Sequence, residues 1–124
     1  MKTKTKIWRV DGVFHRLDGP AIEYSTGAQA WYQNGLLHRE DGPAYIGASG
    51  LKLWYQFGQY HRVNGPAIEG TNGGSGWYLN GLQHREDGPA VENDDGTQQW
   101  FLNGEEFTED VFRLMQFNNG ITVL

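Results

Sequence analysis

Apolar and aromatic residues come along this chain in short bursts, Ile7-Trp8, Val13-Phe14, Ala21-Ile22, Trp31-Tyr32 and Leu36-Leu37 among them. Each burst is cut within a few positions by Asn-Gly, Asp-Gly-Pro or a lone Gly. Bursts this short, bounded by turn residues, predict short strands rather than helices. They also recur: Trp8, Trp31, Trp54, Trp77 and Trp100 fall on one spacing of 23 residues with no insertion. The same step carries Gly12, Gly35, Gly58, Gly81 and Gly104, and all four His (His15, His38, His61, His84) and all four Pro (Pro20, Pro43, Pro66, Pro89). One unit reads W-Y-x-N-G-x-x-H-R-x-D-G-P-A, followed by a looser stretch with a central Gly at Gly27, Gly50, Gly73 or Gly96. The unit starting at Trp54 departs from it, with Phe57 for Asn and Asn64 for Asp.

Asn-Gly between apolar residues is a strong hairpin signal, because both central residues of a type I′ turn need positive φ. With Asn34-Gly35 as the loop, Gln33 pairs Leu36, Tyr32 pairs Leu37, Trp31 pairs His38 and Ala30 pairs Arg39. Trp and His then share one face, and Tyr and Arg the other. Proline cannot donate to a ladder, so Asp-Gly-Pro should bend the second strand before the Gly turn returns the chain to the next Trp. The expected fold is all-β, an elongated antiparallel meander of five hairpin repeats in one domain spanning 1–124. The repeats run at about 7–29, 30–52, 53–75, 76–98 and 99–107. A cap follows over 108–124: Thr108 as N-cap, Glu109 and Asp110 in the first turn, an apolar stripe of Val111, Leu114 and Met115 with Phe112 nearby, and Gly120 as the stop. Such a lid covers the last open hairpin.

The repeat resembles MORN-type repeats, hairpins of 23 residues built around an aromatic, N-G and x-x-H. It is still more similar to the W-Y-x-N-G-x-x-H-R-x-D-G-P-A arrays of phage, giant-virus and bacterial proteins, over residues 7 to about 107. The MORN pattern has Gly directly after His, where this chain has Arg16, Arg39, Arg62 and Arg85, so no MORN lipid or partner surface carries over. The resemblance implies a free-standing binder of phage or viral origin, suited to inhibiting a host enzyme such as a nuclease in the host cytoplasm.

Leu, Ile, Val and Phe make up about 22 % of the chain, just above the disordered regime, while five Trp and six Tyr add large buriable rings. With no Cys, disulfides and thiolate metal sites are excluded. No apolar run follows Lys2, Lys4 and Lys6, so neither a leader nor a membrane span is expected, and the cytoplasm is the default. The net charge of −5 disfavours a general nucleic-acid binder. It is also uneven: Lys2, Lys4, Lys6 and Arg9 crowd the start, whereas nine of the fifteen acids lie within 86–110 with no base among them.

The recurring His, Arg and Asp invite a hydrolase reading, but a catalytic constellation is needed once, and these residues recur like turn and packing residues. We expect each His to stack on its Trp and each Asp to accept backbone bonds in its turn, with no catalytic residue, cofactor or metal site. The expected function is protein binding, with Asp94, Asp95, Glu105 and Glu106 facing a basic partner surface. An alternative is a small anionic ligand, a nucleotide or phospholipid head group, held by Arg16, Arg39, Arg62 and Arg85 with Tyr32, Tyr55 and Tyr78. Against it stands a structural ladder in which each Arg pairs with Glu23, Glu69 or Glu92 and stacks on its Tyr. The edge at the N-terminal end is uncapped, which leaves room for edge-to-edge homodimers.

Overall fold

The structure, a computed structural model, describes residues 4–118. It is an antiparallel meander of short strands closed by one helix, α1 (Glu109–Asn118). In the first four units the strand is split at its Trp, whereas in the fifth Gln98–Leu102 runs unbroken through Trp100. In the second unit, Gln29–Ala30 lies in a ten-stranded sheet running the length of the stack, while Tyr32–Gln33 pairs with Leu36–Leu37 in a separate two-stranded hairpin. The hairpin register is the expected one, Tyr32 opposite Leu37 and Gln33 opposite Leu36. The further pairing of Ala30 with Arg39 does not form: Ala30 sits between Ile22 and Tyr45, and the Arg39 N–H donates instead to the carbonyl of Tyr55 in the next hairpin. The ribbon bends at the Trp because its two halves belong to different ladders.

The turns follow from backbone sterics. Asn34 and Gly35 adopt φ of 51° and 80°, and the other four hairpins repeat this pair, as a type I′ turn requires. Phe57 takes the Asn role at φ 49°, rare for a bulky side chain; its ring lies on that of His38, with centroids 4.2 Å apart. Gly81 sits at φ 83° with only the Gln59 side chain near a prospective Cβ, so substitution there meets backbone strain and little crowding. Gly81→Val is expected to cost about 1–3 kcal/mol, read as a fall in denaturant midpoint at unchanged m-value.

Bending places the core on both sides of the long sheet. On one side Trp alternates with Ala: the N–H of Trp31 donates to the carbonyl of Ala44, and the pattern recurs at Trp8, Trp54 and Trp77. Ala21, Ala44, Ala67 and Ala90 are all 0 % exposed. On the other, the hairpins fold Tyr rings back over the apolar column containing Ile22, Ala30, Leu53 and Gly76, where a Cβ on Gly76 would lie 3.2 Å from the Tyr78 ring. Helix α1 begins as expected, with Thr108 Oγ1 accepting from the Val111 N–H and the Thr108 carbonyl from Phe112. Among its described side chains Phe112 is the buried one, where the helix meets the strand Gln98–Leu102, while Val111, Leu114 and Met115 stay exposed. The expected stop at Gly120 lies outside the described residues. No described helix is long and apolar enough to cross a membrane.

Candidate functional site

Trp and Tyr, adjacent in sequence, point to opposite faces of the ribbon, and the structure shows where the Arg side chains go. Each guanidinium lies on its own repeat's Trp, with Cζ to ring-centroid distances of 3.9, 3.9, 3.8 and 4.0 Å for Arg16, Arg39, Arg62 and Arg85. The expected Tyr–Arg face is therefore corrected. After pairing with the next hairpin, the chain turns back through Asp-Gly-Pro and carries the Arg over the Trp. The side chain is then bracketed: in the first unit its Nε donates to Asp18 Oδ1 at 3.0 Å, and its Nη1 to the Pro20 carbonyl at 3.1 Å and Glu23 Oε2 at 3.2 Å. The Asp thus serves the Arg, not the turn backbone. Glu69 accepts from Arg62 at 3.2 Å and Glu92 forms an ion pair with Arg85 at 3.8 Å, completing the ladder on Trp in place of Tyr.

Two defects interlock along this ladder. Ile46 stands where Glu would meet Arg39, and Asn64 where Asp would meet the Nε of Arg62. The bracket also explains the Gly before each Pro: a Cβ at Gly19, Gly42, Gly65 or Gly88 would lie 2.7–3.0 Å from the guanidinium carbon.

The His side chains do not stack on Trp. Each Nδ1 accepts the backbone N–H of the turn residue in the following repeat: His15 from Asn34 and His38 from Phe57 at 3.0 Å, His61 from Asn80 and His84 from Asn103 at 2.9 Å. Beside each of these bonds the turn Gly donates to a carbonyl of the preceding hairpin, as Gly35 does to Phe14 at 2.9 Å. His thus clips consecutive hairpins together. An acceptor Nδ1 requires the Nε2–H tautomer, and at His84 that N–H faces Glu86 Oε2 at 3.2 Å. This is the one His–carboxylate contact among the described residues, and it does not recur in the other repeats.

The Tyr side chains gather on the opposite face. Phe14 and Tyr32 lie 5.0 Å apart, Tyr55 and Tyr60 4.5 Å, and Tyr60 and Tyr78 5.0 Å, forming a half-buried row through the hairpins. Burial pushes the Tyr55 phenol well above its usual range, assisted by a hydrogen bond with Tyr60, and Tyr32 also moves up. The structure therefore separates the Arg from the Tyr that the anionic-ligand reading joined.

The acidic quartet lies at the C-terminal end of the stack, all of it exposed. Asp94 and Asp95 occupy the turn before the strand Gln98–Leu102; Glu105 and Glu106 lie on the last strand, Glu105–Phe107, opposite Leu102 and Phe101. The two pairs flank opposite ends of one strand, roughly 14 Å apart by strand rise. The hydroxyl and backbone N–H of Thr97 hold the Asp95 carboxyl below its usual range. Among the described residues none of the four forms an ion pair, whereas Glu23, Glu69, Asp87 and Glu92 do. A cavity of about 310 Å³ lies beside this end, between α1 and the fourth repeat, with His84, Leu102 and Phe112 in its wall. No cluster of three metal-ligating side chains occurs among the described residues. Compared with known proteins, the chain matches no family model, no curated protein and no solved structure.

The His clip and the glycine beneath each guanidinium were missed from the sequence. Their signal was present, in a His that precedes each following turn residue by 19 positions and an Arg that precedes each Gly-Pro glycine by three.

Proposed function

We propose that the chain is a non-catalytic interaction module that binds a protein with a basic surface through the acidic end of its repeat stack. The observation that carries this reading is the distribution of uncommitted charge. The four repeat Arg are engaged by Trp rings and, with them, by carboxylates or Pro carbonyls, while Asp94, Asp95, Glu105 and Glu106 are exposed without cationic partners among the described residues. A small anion drawn to the Arg face would compete with contacts already made inside the protein. The similarity of the repeat to MORN-like arrays of phage, giant-virus and bacterial proteins extends the reading to an inhibitor of a host enzyme in the host cytoplasm. A nuclease groove is one basic surface of the right sign.

Replacing Asp94, Asp95, Glu105 and Glu106 together by Lys is expected to lower partner affinity at least about tenfold, with the circular dichroism of the fold unchanged. Affinity capture with both proteins, followed by titration of the captured partner over a range of salt, measures it. Equal affinity for the quadruple variant would overturn the reading.

A further inference from the structure

We infer that the two ends of the stack are complementary to each other, so that a second copy of this chain docks head to tail. The inference rests on the proposed reading of Glu105 and Glu106 as a protein-binding edge and names a partner for it. At each internal junction the same three bonds join one hairpin to the next. Between the first two they are Gly35 N–H to the Phe14 carbonyl, Arg16 N–H to the Tyr32 carbonyl, and Asn34 N–H to His15 Nδ1. Among the described residues, the outer edge of the first hairpin has the Gly12 N–H and Arg9 carbonyl without partners, and the last strand has the Glu106 carbonyl and Thr108 N–H. In repeat register these are the groups that meet at an internal junction. Two things are lacking: the His acceptor, because Phe107 stands in its place, and the sheet strand that elsewhere pairs Ile22–Glu23 with the next repeat's Gln29–Ala30, because its counterpart in this register, Leu114–Met115, lies in α1. Helix α1 leaves this edge open: it folds back toward the fourth repeat, where Gln116 Nε2 donates to the Glu86 carbonyl at 2.7 Å.

Side-chain register points the same way. The residue at the Phe14 and Tyr60 position faces the next hairpin's Tyr, at 5.0 Å in both cases. The last occupant of that position is Glu106, and the first occupant of the Tyr position is Arg9. A head-to-tail junction thus sets Glu106 against Arg9, with Lys4 and Lys6 near the same basic edge and Glu105 on the acidic one. Pairing of two like edges brings like charges together, which disfavours the symmetric dimers that open strands otherwise form. A heterologous contact that does not close produces chains of copies.

Analytical ultracentrifugation of the full chain at low salt, from micromolar to millimolar protein, tests this. The weight-average mass is expected to rise with concentration without stopping at a dimer. R9E alone or E106R alone should weaken association at least about tenfold, and the double variant R9E/E106R should restore it. A monomer at every concentration, or association that survives both single reversals, would overturn the inference. Capture of a basic partner by a strictly monomeric chain overturns self-assembly while leaving the proposed function standing.

Discussion

Trp54→Ala is expected to lower stability by about 3–5 kcal/mol, more than the same change at Trp8. The Trp54 ring carries the Arg62 guanidinium at 3.8 Å, and its indole N–H donates to Glu69 Oε2 at 2.7 Å. The same Glu69 oxygen accepts from Arg62, so truncation leaves a cavity and unseats an ion pair together. Trp8 has the Arg16 stack at 3.9 Å but no indole bond among the described residues, and it stands in a terminal repeat with one neighbour. In a repeat stack, loss of a middle unit severs two interfaces and loss of an end unit one. Chemical denaturation of both variants checks the order; equal losses would mean that the Trp–Arg stacks are not the core.

Ala67→Leu should be nearly as damaging, at about 1–3 kcal/mol or more, although it adds apolar atoms. Ile68 pairs with Leu53 on one side and Gly76 on the other, which places Ala67 between Trp54 and Trp77. With strands about 4.8 Å apart, neighbouring Trp rings fit only because the residue between them is small. Ala67 is 0 % exposed, so a Leu there must displace a ring or the guanidinium above it. Val63→Leu, at a position 68 % exposed, is the matched control and should leave the denaturant midpoint unchanged.

The repeat made the hairpins legible because Asn-Gly fixes turn type, loop length and register at once. Trp positions were equally plain, but their environment was not. Strand alternation put Arg39 across from Ala30, on the face away from Trp31, on the assumption of one continuous hairpin; it could not show the split between Ala30 and Tyr32 or the return of Arg39 over its own Trp. The His clip escaped for a related reason: its acceptor and donor lie 19 residues apart, across a junction that exists only once hairpins stack. For the candidate site, the clustering of acids at 86–110 was visible as composition. Which of them remained unpaired depended on where the Arg side chains came to rest. The cap was read correctly at Thr108, where local hydrogen bonding decides, and incompletely beyond it, where Phe112 rather than the Val111 stripe met the last strands.

The repeated His and Arg hold the stack together, and the His tautomer tests this most directly. Long-range ¹H–¹⁵N spectra of the imidazole rings near neutral pH should show His15, His38, His61 and His84 all as the Nε2–H form. Each Nδ1 should be coupled across a hydrogen bond to the amide of Asn34, Phe57, Asn80 or Asn103. A mixture of tautomers, or a protonated Nδ1 on these rings in the folded protein, would contradict the account.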